Sequence, residues 1–319
     1  MSGVIRIPIS PSANYLNRTV LLRSSLNRVG GATAAIPLEV FVSPDRERPP
    51  SEWRAHIESS GIRWCDVDEN EFAKHSYAAA THLRMRAPTE HDVILLADAD
   101  LVVVGPLSDT VNECARKNSA LGVTAYRSPF TAQTYDLRST ASRRDCWTDL
   151  FERLNLPAPA FTARHPAGYE QDWEDDVTFC PPYYNFGMVF LQSEKAPAVS
   201  TAHAEEVVRV RKVFDGAHDA QLALSCALAR LGIDAHELPL RFNFPNQPNY
   251  LDPFASDAAD IRVLHYMSRS RFDKERDLDS THNLGRWLQK APGDFLHDLL
   301  HDEIDTALEL LADCPWNSQ

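Results

Sequence analysis

The chain has 319 residues, 44% of them hydrophobic and 24% charged, a globular balance that allows one large α/β domain with a tail. A formal net charge of −13 argues against a nucleic-acid partner, which calls for a basic surface. No apolar stretch reaches the roughly 18 residues of a transmembrane segment, the start MSGVIRIPIS has no signal-peptide hydrophobic region, and the six cysteines are scattered without a Cys-x-x-Cys pair, so reduced thiols and a cytoplasmic location are expected.

Strand-like and helix-like segments alternate from the start. Residues 4–9, 38–43, 62–67 and 93–98 read as strands, and 14–29, 51–59 and 75–86 read as helices between them. This alternation predicts βαβ units and a largely parallel sheet. A helix over 107–118 leads to a short strand at 121–126. Residues 127–182 are the least regular, with a helix at 142–154 and an acidic loop at 168–176, where Glu170, Asp172, Glu174, Asp175 and Asp176 surround Trp173. Strand 183–191 follows, then helices over 196–213 and 219–231, a Pro- and Asn-rich loop at 241–250 and a strand at 261–267. From 282 the pattern is helical, with Leu296, Leu299, Leu300 and Ile304 at helical spacing. The expected division is a catalytic domain at 1–278, with a nucleotide-binding half at 1–105 and an acceptor half at 106–278, and a helical tail at 279–319.

The most informative stretch is 93–105, VILLADADLVVVG. An apolar run of this kind suits a buried strand, and carboxylates inside it are costly unless something positive meets them. Residues i and i+2 of a strand share a face, roughly 6–7 Å apart, so Asp98 and Asp100 could both reach one cation at the strand's carboxyl end, where open α/β sheets bind ligands. The plainer alternative is a pair of carboxylates capping a turn.

The segment Leu96-Ala97-Asp98-Ala99-Asp100, with its apolar triplet, Gly105 and Leu107-Ser108, resembles the metal-dependent sugar-nucleotide glycosyltransferases of the glycosyltransferase-A fold. The likeness is greatest to the retaining family of glycogenin and the bacterial lipopolysaccharide galactosyl- and glucosyltransferases. It runs with gaps from about residue 4 to about residue 275. The implied fold is an α/β, Rossmann-type mixed sheet flanked by helices. The implied activity is metal-dependent, retaining transfer of a hexose from a nucleotide diphosphate sugar to a saccharide or other hydroxyl acceptor. A UDP-sugar is the first choice of donor and a GDP-sugar the second, and a homo-oligomer is compatible with this reading.

The resemblance assigns residues. Asp100 binds Mn²⁺ or Mg²⁺ directly, Asp98 binds metal or contacts the ribose, and Ala99 lies between them at the nucleotide. The run His265-Tyr266-Met267-Ser268-Arg269-Ser270-Arg271 resembles His-x-x-Gly-x-x-Lys, in which His completes the metal site and the cation meets the diphosphate. Here Ser268 replaces Gly and Arg271 replaces Lys, with Arg269 as a neighbouring cation; a solvated basic turn is the other reading of the two arginines. An imidazole beside two carboxylates favours Mn²⁺ over Mg²⁺. Tyr184-Asn185-Phe186-Gly187 resembles the strand that lines the sugar pocket, with Asn185 offering donor and acceptor groups. His218-Asp219-Ala220-Gln221 resembles an Asp-Gln pair that opens a helix; either Asp219 or Gln221 can fill the role, and Asp219 equally suits an N-cap. At the nucleotide end Ile9, Ser10 and Tyr15 follow the first strand, without the acidic residue usual in the family. Arg84 or Arg86 matches a cation near the diphosphate, or is an exposed helix cation.

Two rival readings stay open. A nucleotidyltransferase acting on sugar phosphates also sets aspartates on a metal, but residues 10–18 have no Gly-rich basic loop. A catalytically inactive relative would bind the nucleotide sugar and not turn it over. If the reaction inverts, the acidic loop is where a general base is expected.

Overall fold

The computed structural model describes residues 1–46, 48–76, 78–117, 119–130, 142–166, 179–216, 218–290 and 293–317. Its strands in chain order are β1 (Gly3–Ile9), β2 (Leu38–Val42), β3 (Ile62–Asp66), β4 (Val93–Ala97), β5 (Leu101–Val103), β6 (Ala120–Thr124), β7 (Ala163–Arg164), β8 (Phe179–Cys180), β9 (Tyr184–Gln192), β10 (Ala235–Glu237), β11 (Phe244–Pro245) and β12 (Val263–His265). Among the described residues they form a seven-stranded sheet of order β10-β6-β9-β4-β1-β2-β3, a three-stranded sheet β11-β12-β5 and the pair β7-β8.

The parallel core β4-β1-β2-β3 is the part that the alternation of strands and helices foretells. β1, β2 and β4 are almost wholly buried and mostly apolar, because helices cover both faces; the exceptions, Arg6 in β1 and Glu39 in β2, pair with each other. The sheet is mixed and still largely parallel: of its seven strands β9 alone is reversed, running antiparallel to both β4 and β6. Its nine residues are all buried, so burial gives no hint of strand direction. The carboxyl ends of β1, β2 and β4 point to one edge, where the chemistry collects.

Several elements differ from expectation in ways that matter. β4 stops at Ala97, and Asp98–Asp100 form a turn into β5, which leaves for the second sheet. The aspartates therefore do not share a strand face. The chain bends because two carboxylates cannot be threaded into a buried apolar strand without partners. The helix expected at 75–86 is two helices, Glu69–His75 and Ala78–Arg86, separated at Ser76, whose φ of 53° is left-handed. Asp68 caps the first by accepting from the Asn70 and Glu71 amides. In the loop expected at 241–250, two short 3-10 turns flank β11.

The C-terminal helices Thr281–Leu288 and Phe295–Ala312 are capped by Ser280 and Asp294. Leu296, Leu300 and Ile304 face one hydrophobic cluster that also holds Ile5, Ile7 and Leu21, while Leu299 is only partly buried against it. The Trp316 indole donates to Asn17 Oδ1 at 2.7 Å, which ties this segment to the helix Ala13–Val29. The segment 279–319 thus shares the core of the first half. Among the described residues no helix is long and apolar enough to cross a membrane.

Candidate active site

Asp98, Asp100 and His265 come together at the edge of the sheet. One possible ligand atom from each lies within 4.8 Å of the others. Two come from the β4–β5 turn and the third from β12, whose antiparallel pairing sets His265 opposite Leu101. His265 Nε2 is 3.3 Å from Asp100 Oδ2, and its Nδ1 is buried without a partner. Gly105, just past β5, lets β12 approach: a Cβ there would lie 2.6 Å from Arg262 Cδ and 3.2 Å from the Ile261 carbonyl.

Backbone bonds fix the turn. The Tyr266 amide donates to the Asp100 carbonyl at 3.1 Å and the Tyr266 hydroxyl to the Ala99 carbonyl at 3.3 Å. Arg84, only 1% exposed, donates to the Ala97 carbonyl at 2.7 Å, where β4 ends. Its guanidinium lies 5.4 Å over the Phe186 ring. The helix carrying Arg84 is clamped in turn by the buried Arg6, which donates to the carbonyls of Arg84 (2.8 Å), Ala87 (2.9 Å) and Pro88 (3.2 Å) and pairs with Glu39 at 2.7 Å. The carbonyls at the helix's C-terminal end are thus satisfied by a charged donor. Arg86, by contrast, pairs with Glu71 at 2.9 Å on the outer surface.

A cation already stands on the trio. Lys274 pairs with Asp100 Oδ2. The segment around it is held by the first helix: the Asn14 amide donates to the Lys274 carbonyl at 2.6 Å and to that of Glu275 at 3.1 Å, and Arg18 pairs with Glu275 at 2.9 Å. Burial alone would raise the Asp100 carboxyl, but His265 and Lys274 hold it well below the usual carboxylate range. Asp98 goes the other way: burial, then the Asp100 charge, raise it. Two adjacent carboxylates thus need more positive charge than the protein supplies. Burial lowers the Arg84 guanidinium to about 10, against the pull of Asp98.

Other residues singled out by the sequence are placed as follows. Ile9 is core, and Ser10 donates to Asp45 Oδ2 at 2.6 Å. Tyr15 is half-buried, with the Arg18 guanidinium 4.6 Å from its ring. Asn185 is buried in β9; its Oδ1 accepts from the Gly187 amide at 2.7 Å and from Asn243 Nδ2 at 3.1 Å. Gly187 is required here, because a Cβ would lie 2.8 Å from Asn185 Oδ1. Asp219 does not cap its helix: His218 is the N-cap, and Asp219 pairs with Arg211. Gln221, two residues further along the same helix, is half-buried.

Arg271 is not brought to the trio. It pairs with Asp294, the cap of the last helix, and its carbonyl accepts from the Trp287 indole at 3.0 Å. Arg269 is exposed. The cation that meets Asp100 is Lys274, three residues beyond the motif position and unmarked by any spacing. The acidic loop 168–176, with Trp173, lies outside the described residues.

A family model described as the Rhodobacterales glycosyltransferase domain matches residues 9–232. No curated protein matches the chain. Among solved structures, the galactosyltransferase LgtC in complex with donor and acceptor sugar analogs is 16% identical, with 90% of this chain and 97% of that one covered, at a TM-score of 0.54. The bifunctional glycosyltransferase WbbM is 13% identical over 99% of this chain and 50% of its own, at 0.53. Mouse xyloside xylosyltransferase 1 is 12% identical, with 84% and 99% covered, at 0.50. At these identities the likeness carries the fold alone, and that fold is glycosyltransferase-A-like, as the sequence motif implied. The chain belongs to the Rhodobacterales glycosyltransferase domain family and is a glycosyltransferase.

Proposed function

We propose that the enzyme moves a hexose from a nucleotide diphosphate sugar, a UDP-sugar in the first instance, to a hydroxyl acceptor with the help of a divalent cation. The observation that carries this is the trio Asp98, Asp100 and His265, with ligand atoms within 4.8 Å of one another. Its donor set suits a cation: two carboxylates and an imidazole match Mn²⁺ better than Mg²⁺. The raised Asp98 and the ammonium of Lys274 on Asp100 both speak for a site that wants positive charge. When bound, the ion would be held by these three residues and would neutralise charge developing on the departing diphosphate.

The protein's own groups do the rest. Lys274, which the strap over the first helix holds at Asp100, takes the diphosphate role first assigned to Arg271. Arg84 positions the β4–β5 turn through the Ala97 carbonyl. Ser10, just past the carboxyl end of β1, and Tyr15, on the helix that follows, would meet the nucleoside. Asn185 has its Oδ1 committed twice, so its Nδ2 is the group left to orient a sugar hydroxyl. The transfer keeps the donor's anomeric configuration, with the leaving phosphate taking the acceptor proton. Gln221 then positions sugar rather than moving protons, and Asp219, engaged by Arg211, stands behind it.

The test is a screen of nucleotide sugars for Mn²⁺-dependent release of nucleotide, followed by NMR of the first-formed product. Release that needs no metal, with every donor tried, would reject the metal-dependent reading. An inverted anomeric proton would reject retention and turn attention to the acidic loop. UDP binding that depends on metal, with no turnover of any donor, would mark an inactive relative.

A further inference from the structure

On the helical layer, the helices Glu69–His75, Ala78–Arg86 and Ala196–Val210 line an open pocket of ≈ 610 Å³. Its walls carry Lys74, His75, His82, Arg86 and Arg209 against two carboxylates, Glu71 and Glu205. Glu71 is already engaged by Arg86 at 2.9 Å. Arg209 shares a single carboxylate, Glu206, with Arg230. Lys74 has no ion pair among the described residues. A chain of net charge −13 therefore keeps surplus positive charge around one cavity.

His82 is the decisive member. It is 1% exposed, lines the pocket, and neither ring nitrogen has a hydrogen-bond partner. Its ring neighbours are His75, at 4.8 Å between centroids, and His203, at 5.1 Å. His203 spends Nε2 on the Ala220 carbonyl and leaves Nδ1 unpaired. A buried polar group without a partner is destabilising, a cost that a ligand in the pocket would offset. Imidazoles also suit transition metals, but the permanent charges that act on His82, Arg86 and Arg211, are cationic and repel a metal ion.

We propose that this pocket binds the phosphate group of a phosphorylated small molecule, with Lys74, Arg86 and Arg209 supplying charge and His75 and His82 supplying ring N–H groups. Guanidinium and ammonium groups around a phosphate oxygen give strong charge-assisted bonds. None of Arg84, Asp98, Asp100 and His265 lines this pocket. Binding carries a proton signature. Burial, then the charges of His203, His75, Arg86 and Arg211, push His82 down to about 3. Burial, then Lys74, lower His75, with Glu71 opposing. Glu205 and Arg209 face the pocket from the third helix. A bound dianion reverses the local field, so the rings take up protons and affinity rises as pH falls.

Calorimetry of the full chain with sulfate, which stays dianionic, and with inorganic phosphate, at about pH 6 and about pH 8, tests this. Sulfate should bind about tenfold more tightly at the lower pH, with net proton uptake read from buffers of different ionisation heat. Lys74→Ala should weaken binding several-fold. His82→Gln, which keeps one donor, should bind with reduced proton uptake. Lys274→Ala, at the other site, should leave this binding unchanged, and the ¹⁵N shifts of the His82 ring should move on addition of sulfate to the native chain. Absent binding, binding lost only in Lys274→Ala, unmoved His82 resonances, or Zn²⁺ held in preference to either anion would overturn the proposal. Should His82→Gln fail to fold, the ring shifts and Lys74→Ala decide.

Discussion

The acidic corner and the histidine pocket bury ionisable groups in opposite ways. At the corner, Asp98 and Asp100 crowd like charges at a strand end, and the fold answers with Lys274 and His265. In the pocket, imidazoles pack against one another beside Lys74, Arg86 and Arg209, with Glu71 and Glu205 on the same walls, and among the described residues neither ring nitrogen of His82 has a hydrogen-bond partner. The corner is a place for a cation and the pocket a place for an anion. At the corner the crowding of two carboxylates, and in the pocket a buried ring without a hydrogen-bond partner, point to the ligand more than shape does.

The largest effect should come from the corner. Asp100→Asn keeps the shape and removes the charge, and nucleotide release in Mn²⁺ should fall by more than the roughly 10–100-fold typical of a group one shell further out. Circular dichroism should show an intact fold; near-native turnover would break the assignment. Next comes the division of labour between two cations. Lys274→Ala should weaken UDP binding at saturating metal by about 1.5–3 kcal/mol, the worth of a charge-assisted hydrogen bond. Arg271→Ala should leave UDP affinity alone and instead loosen the last helix, measured as a lower Tm. The reverse result would restore Arg271 to the diphosphate.

Gly187→Ala sharpens the comparison from the acceptor side. The added Cβ meets Asn185 Oδ1 at 2.8 Å, so overpacking should cost about 1–3 kcal/mol in urea unfolding and displace Asn185. The smallest effect belongs to the pocket. His82 sits at about 3 and His203 at about 4, below the ordinary 6.5, so the unfolded chain takes up protons first. Their contribution to stability is full above about pH 6.5 and is lost as pH falls towards 4. His82→Phe should flatten that slope in denaturation followed between about pH 7 and 4.5, and sulfate should flatten it in the native chain. An unchanged slope in both would separate the histidines from the acid limb.

The sequence already carried the order of strands and helices through β4, because apolar periodicity is a local property that survives tertiary context. It also singled out Asp98 and Asp100, since a carboxylate pair inside an apolar run is anomalous wherever it falls, and His265 through its resemblance to the family motif; the three side chains do come together. Their geometry was another matter: the pair sits in a turn, because the strand ends where the carboxylates begin. The direction of β9 was hidden, for a strand buried on both faces reads the same either way. Most hidden were the partners of charges. Lys274 reaches Asp100 because Asn14 and Arg18 hold its segment down, and Arg271 is drawn off by Asp294 from the tail. His82 meets His203 only because two helices far apart in the chain pack side by side. Motif spacing records which residue types a chain offers near one another; which opposite charge each finds is decided by through-space packing, where Coulomb energy falls with distance and not with sequence separation.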